Sequence, residues 1–308
     1  MILLHTSDWH LGAADGDRSL RDDQLFFIDE IARIIREEHV GAVLIAGDVY
    51  DRSVASAEAI RLYDGAMTRI VRDLGVPVCM IAGNHDSAER LSSCSELLSG
   101  VGLHIAGALS ADPQVVPFPD TEVFLLPWIT EEQVRAVYPD RKDCVTDLES
   151  AYRVVTERLR AAFSPGKRHI LVAHAYAANA ETSQSDRAAE GGFAKQIPAD
   201  VFDGFDYVAL GHIHKPQDIT ETVRYSGTPM PFSFGREEEQ EKSVTLIDTE
   251  TMQRRIVKLP LLHRRKTLPD TLDALLHEDA VRGVPPQGRY VFGTVTVGDK
   301  GQIVIPVK

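Results

Sequence analysis

Five short groups of metal-ligating residue types punctuate the chain: Asp8-x-His10, Gly47-Asp48-x-x-Asp51, Gly83-Asn84-His85-Asp86, His174 and Gly211-His212-x-His214. Carboxylate oxygen combined with neutral imidazole suits manganese, zinc or iron better than calcium. In an extended backbone residues i and i+2 point to one side, so Asp8 and His10 can grip one cation. His212 and His214 share that spacing, although a turn there would split them between two cations. Asp48 is the expected bridge, because its two oxygens can hold two cations at the few-ångström spacing that two-metal hydrolysis needs. Asn84 offers a neutral carbonyl oxygen. His85, one residue on, points elsewhere, which suits a group working beside the cations. Asp51 and Asp86 stand as secondary catalytic or supporting candidates. Any one of these groups matches by chance, since a strand-end Asp usually caps a turn and a lone His is usually surface or satisfied core. Their repeated delivery at the ends of apolar runs is what packing does not explain.

The apolar runs are the positioning elements. Ala42-Val43-Leu44-Ile45-Ala46 ends in Gly47 and acidic residues, as a central parallel strand opening into a loop does, and open α/β sheets place ligands at that end. Ile2 to Leu4, Val78 to Ala82, His169 to Ala173 and Asp206 to Leu210 behave alike, and Gly83 is expected to allow a sharp exit from its strand. His169 falls at the opposite rim. Asp22 and Asp23 precede a helix burying Leu25, Ile28, Ile31, Ala32 and Ile35. A second helix carries Ile60, Tyr63, Met67, Ile70 and Leu74 on one face and stops at Gly75. Strand, helix, strand, helix implies parallel pairing with right-handed crossovers. Thr146-Asp147-Leu148-Glu149 reads as a capping box for a third helix.

Residues 103–127 have no helical period and suit antiparallel strands at a sheet edge or in a second sheet. Residues 176–199 are expected to form a mobile loop beside the site. Lys242 to Asp248 and Arg254 to Lys258 alternate and fit the second sheet. Phe232 and Phe234 could stack on bases, with packing across a sheet interface the stronger expectation. His263-Arg264-Arg265-Lys266 reads as a solvated linker at a boundary near residue 260. Beyond it a helical piece, Leu272 to Leu276, and a hairpin turning at Gly298-Asp299-Lys300-Gly301 are expected.

At 308 residues, 44% hydrophobic and 26% charged, the chain can bury a full core. No apolar run approaches the roughly 20 residues a membrane span needs, and the start lacks a signal sequence, so a cytoplasmic location is expected. Three scattered cysteines, Cys79, Cys94 and Cys144, indicate neither a disulfide framework nor a thiolate zinc site, and Cys79 is expected in the core. The net charge of −13 argues against a broad basic surface coating nucleic acid. It leaves a nuclease open, because cations can hold phosphate locally.

The five groups in order resemble the calcineurin-like metallophosphoesterase superfamily over residues 1 to about 260. Within it, His5-Thr6-Ser7-Asp8-Trp9-His10-Leu11-Gly12, Gly211 to Gln217 and Tyr225-Ser226-Gly227-Thr228-Pro229 are similar to the SbcD family of bacterial DNA-break-repair nuclease subunits. The resemblance implies an α/β fold with a two-sheet β-sandwich flanked by helices: a nuclease domain over 1–260 and a short or partial α+β DNA-capping region over 261–308. It implies that Asp8, His10, Asp48 and His214 hold one cation, that Asp48, Asn84, His174 and His212 hold the second, and that His85 is the catalytic histidine. Two divalent cations are implied, manganese preferred, with magnesium, iron or zinc as alternatives. The implied activity is 3′ to 5′ exonuclease action on duplex ends and endonuclease action on hairpins or single strands, by a homodimer with an SbcC-type ATPase. Asp51 stands where the eukaryotic and archaeal branch carries a histidine, and the ATPase-docking segment is expected to be missing after Lys308. Two alternatives remain: hydrolysis of small phosphodiesters or phosphomonoesters, and a metal-free protein-binding scaffold on the same fold.

Overall fold

Strands form where apolar runs can be buried on both faces, and the chain arranges them as two stacked sheets. The computed structural model describes residues 1–268 apart from 17, 184 and 187–194, together with 290–294 and 303–306. One six-stranded sheet runs in the order Arg254–Lys258, Ser243–Asp248, Ile2–Thr6, Val40–Ala46, Val78–Ile81, Leu103–Ala106. Its last four strands are mutually parallel and the first two antiparallel. The other runs Gln217–Asp218, Val223–Tyr225, Tyr207–Gly211, Arg168–His174, Thr121–Leu126, Val115–Pro117, parallel in its four inner strands.

The inner layer between the sheets holds Leu3, Leu44, Ile81, Val123, Val172 and Cys79, with small Ala42, Ala46, Ala106 and Ala209. Alternate residues of the same strands, such as Leu4, Val43 and Ile45, pack outward under the helices Arg21–Glu37 and Ala57–Met67. Leu171, Ala173, Val208 and Leu210 do so under Leu148–Ala161. Burial on both faces is why these strands read as unbroken apolar runs.

Several expectations are corrected. Ser243–Asp248 and Arg254–Lys258 extend the first sheet, not the second, with Leu4 opposite Leu246; Ser243–Asp248 is buried almost throughout, and alternation in a sequence does not name a strand's partner. Residues 103–127 are shared, the Leu103–Ala106 strand closing the first sheet in parallel and the rest entering the second. Along the second helix Ala59, Leu62, Ala66 and Met67 face the core, joined by Ile70 in the turn that follows, and Ile60 is 50% exposed. Alanines at 59 and 66 let the helix sit close, which leaves the bulkier Ile60 outside. The box on the third helix is displaced by one: Asp147 accepts from Ser150 N (2.8 Å) and Ser150 Oγ accepts from Asp147 N (3.0 Å).

A third, three-stranded sheet pairs Arg264–Leu268 in parallel with Tyr290–Thr294, and the latter antiparallel with Ile303–Pro306. The expected helix at Leu272 to Leu276 and the turn at Gly298 to Gly301 lie outside the described residues. The basic cluster is not a solvated linker. Arg265 is buried, paired with Asp15 (2.7 Å), donating to the Pro231 carbonyl (2.9 Å) and lying over the Phe234 ring, while His263 meets Asp23 (3.0 Å). Among the described residues no helix is long and apolar enough to cross a membrane.

Candidate metal centre

The parallel strands of both sheets end at one rim, and the loops that follow are laced together. Asp8 N donates to the Gly47 carbonyl (3.0 Å), His10 N to that of Asp48 (3.0 Å) and Leu11 N to that of Val49 (2.9 Å). The backbone there is not extended: φ is +53° at Asp8, +43° at His10, +48° at Asp48 and +101° at His212. The extended-backbone reason therefore holds for neither His-containing pair, although Asp8 and His10 still meet in one group while His212 and His214 are split, as a turn would do. Such conformations cost about 1–3 kcal/mol each and persist where surrounding structure over-determines them, as this lacing does. The glycines contribute space: a Cβ on Gly83 would overlap Asp48 Oδ1, and one on Gly211 would overlap the Ala46 carbonyl. Gly83 has no left-handed φ, so clearance, not a sharp exit, is its role.

Ligand atoms of Asp8, His10 and His214 lie within 4.8 Å of one another, as do those of Asp48, His174 and His212. Asn84 Oδ1 joins the second group, 3.0 Å from His174 Nε2 and 2.9 Å from His212 Nδ1. Asp48 Oδ2 lies between the groups, 3.3 Å from His174 Nε2 and 3.9 Å from His10 Nε2. The left-handed turn at His212 thus sends the two histidines of that motif to different groups.

His85 stands beside both. Its main-chain N–H donates to Asp48 Oδ1 (2.9 Å), its Nδ1 meets the Asp51 carbonyl (3.0 Å), and its Nε2 is 4.0 Å from Asp48 Oδ2. Asp51 Oδ1 is 3.8 Å from His10 Nδ1. Asp86 turns away and accepts from the main-chain N–H groups of Gly83 (2.9 Å), Val49 (3.1 Å) and Tyr50 (2.8 Å), so it ties two loops together. A cavity of about 220 Å³ opens between His10, Asp51, His85, His214, Phe232 and Ser185.

Burial dominates the electrostatics. It holds His10 down to about 4 and His212 to about 3, and it holds His214 well below the usual range. Burial raises Asp8 as well. For Asp48 burial is outweighed by His174, His10 and His85, and its carboxyl falls well below the usual range. For His174 burial is outweighed by Asp48, and the imidazolium persists to about 9. Three neutral imidazoles, an amide oxygen and buried carboxylates form a donor set that suits a divalent transition metal. His10 Nε2 and His214 Nε2 face each other at 3.1 Å, and the buried Nδ1 of His10 has no hydrogen-bond partner. These crowded lone pairs fit cations.

Some neighbours were not singled out from sequence. Ser7 Oγ donates to Asp8 Oδ2 (2.5 Å), and Trp128 stacks on the His212 ring at 5.3 Å. Trp128 follows the strand Thr121–Leu126, so the strand-end rule that found the ligands would have found it. Ser185 Oγ lies 2.7 Å from His214 Nδ1, and Asp186 accepts from His214 N (2.8 Å); an isolated Ser-Asp in a polar stretch gives no signal. Phe232 packs against His10 (5.3 Å) and His214 (6.1 Å), and Phe234 against Arg265, so neither fills a sheet interface as expected.

Residues 1–216 match the calcineurin-like phosphoesterase family. The chain is 31% identical over 254 residues to the D subunit of the SbcCD nuclease of Staphylococcus epidermidis, covering 82% of this chain and 67% of that one. It is 33% identical over 263 residues to the D subunit of the SbcCD nuclease of Bacillus subtilis, covering 80% and 66%. It thus spans about two thirds of the length of these relatives. Among solved structures, TT1561 of Thermus thermophilus aligns with a TM-score of 0.48 and 13% identity, over 84% of this chain and 99% of its own, a likeness too distant to carry weight. With the family matched over most of the chain and its donor groups gathered at one rim, the chain belongs to the calcineurin-like phosphoesterase family and is a metal-dependent phosphoesterase.

Proposed function

We propose that the chain is a DNA nuclease subunit that hydrolyses phosphodiester bonds with two divalent cations, manganese foremost. The observation that carries this is the division of six donors into two groups of three on either side of Asp48 Oδ2. Asp8, His10 and His214 would hold one cation and Asn84, His174 and His212 the other, with Asp48 shared. Bound there, the cations would acidify water and neutralise phosphodiester oxygens. His85 has the geometry of a proton donor to the departing sugar oxygen. Donation from Nδ1–H to the Asp51 carbonyl fixes the ring and leaves Nε2 facing the site. Asp51 and Asp86 then act through position, the first under His85 and the second under the loops.

The DNA substrate, with 3′ to 5′ exonuclease and hairpin or single-strand endonuclease action in break repair beside an SbcC-type ATPase in the cytoplasm, rests on the similarity to the SbcCD nucleases. For the homodimer, the apolar side chains of Val54, Ile60, Leu97 and Val101 are left exposed and available for contact. The division into a nuclease domain over 1–260 and a capping region from 261 is supported by the separate sheet that begins at Arg264.

The test is cleavage of end-labelled duplex and hairpin DNA with Mn2+, beside a small phosphodiester, with chelator and Asp48→Asn controls. Metal-dependent shortening of DNA that Asp48→Asn abolishes is expected. Hydrolysis of the small ester alone would replace the nuclease by a small-substrate phosphodiesterase. His85→Gln is expected to keep cation binding while lowering kcat by about 10²–10⁴-fold, the usual worth of a general acid. Loss of binding in that variant would refute the role given to His85.

A further inference from the structure

A wholly buried ion pair lies behind the cation site, and nothing in the proposed chemistry uses it. Lys242 Nζ and Glu237 Oε1 are 2.8 Å apart with both side chains fully buried. Burying two charges costs several kcal/mol per ion, which close pairing and further hydrogen bonds must offset. Here every group is engaged. Lys242 Nζ also donates to Thr228 Oγ1 (2.8 Å), Gln240 Oε1 (3.1 Å) and the His214 carbonyl (3.3 Å). Glu237 Oε2 accepts from Phe232 N (3.1 Å), Ser233 N (2.7 Å), Ser233 Oγ (2.7 Å) and Ser185 Oγ (2.7 Å).

The last of these bonds leads to the site. A hydroxyl has one proton, so Ser185 Oγ, in donating to Glu237, must accept from its other neighbour. That neighbour is His214 Nδ1 at 2.7 Å. The chain of bonds runs from His214 Nδ1–H to Ser185 Oγ–H to the Glu237 carboxylate, which Lys242 neutralises. Asp186 does not supply this bond: it accepts from His214 N at 2.8 Å and lies 3.6 Å from Nδ1. A metal-ligating histidine commonly donates its other ring N–H to a carboxylate, which fixes the tautomer and the ring.

We infer that Glu237, held by Lys242, is a positioning residue that acts through Ser185 to keep His214 in its Nδ1–H tautomer with Nε2 turned to the cation site. The inference rests on the reading of this site as a divalent-cation centre. The same carboxylate fixes the main chain of Phe232 and Ser233, which wall the cavity beside His10 and His214. One anion therefore sets both a ligand's proton and the shape of the adjoining space.

The test uses the full chain and three substitutions: Glu237→Gln, Ser185→Ala and Ser185→Thr. Long-range proton–nitrogen NMR of the metal-free chain reads the His214 tautomer, and calorimetry with Mn2+ alone reads affinity. Nδ1–H is expected in the wild type and in Ser185→Thr, which keeps the hydroxyl. Ser185→Ala and Glu237→Gln are expected to lose that preference and to bind Mn2+ about 10- to 100-fold more weakly, the usual effect of removing such a partner. If Glu237→Gln fails to fold, Ser185→Ala decides alone, because it breaks the relay without touching the buried pair. Unchanged tautomer and affinity in folded Ser185→Ala would overturn the inference. Failure of the wild type to bind Mn2+ would instead overturn the cation-site reading, with the nitrogen spectrum still deciding the relay.

Discussion

His174 and Asp8 keep protons that a cation would have to displace. Burial works against charge on both, yet Asp48 holds His174 protonated up to about 9, and burial keeps the Asp8 carboxyl protonated above its ordinary range. Both folded-state values lie above the unfolded ones, so the sign is shared: the stability they confer is full below the unfolded value and is lost as pH rises through the folded one. For His174 that window runs from 6.5 to about 9. The chelated chain is therefore expected to lose thermal stability on going from pH 6.5 to 9. Mn2+ binding at pH 7 should release protons. Calorimetry in buffers of different ionisation enthalpy would show it, and a binding heat independent of buffer would contradict it. The candidate ligands themselves were legible in the sequence because each is an unusual residue type at the end of an apolar run. Ser185, Glu237 and Lys242 were not: nothing local separates a buried charge in a polar stretch from a solvated one.

Elements meet at this rim because glycines let them. Gly211, whose added Cβ would overlap the Ala46 carbonyl, is a point of close approach between the two sheets beside His174. Gly211→Ala must push backbone away from backbone, and is expected to cost about 1–3 kcal/mol as an overpacking change and to weaken Mn2+ binding. Thermal unfolding beside calorimetry would check both, and a variant with wild-type melting and affinity would show that the strand ends have slack. The strands and helices were legible from period and length, but partners and faces were not. Ser243–Asp248 joined the first sheet because its alternation is equally satisfied on either, and Ile60 ended outside because two alanines made a neighbouring face the closer fit. The His212 turn was open in the sequence only as an alternative, since spacing reports a side only when the backbone is extended.

At the scale of the whole molecule, an acidic chain with net charge −13 carries its cation-binding residues at one rim and leaves Leu97 77% and Ile60 50% exposed on another part of its surface. Contiguous apolar patches mark association surfaces, whereas single exposed apolar side chains are ordinary, so the proposed homodimer calls for a direct test. Leu97→Asp is expected to turn a dimer into a monomer in light scattering while leaving Mn2+ affinity unchanged. A wild-type monomer at micromolar concentration would refute the homodimer.

The placement of the ligands also dictates when the protein can become active. Asp8 and His10 come from the first sheet and need His214 from the second; Asp48 and Asn84 come from the first and need His174 and His212. During synthesis the first sheet's parallel strands leave the ribosome early, but neither donor group is complete until His212 and His214 have followed. The nascent chain thus has no full set of ligands until the second sheet has docked on the first, so the phosphoesterase site cannot form before His214 has been made.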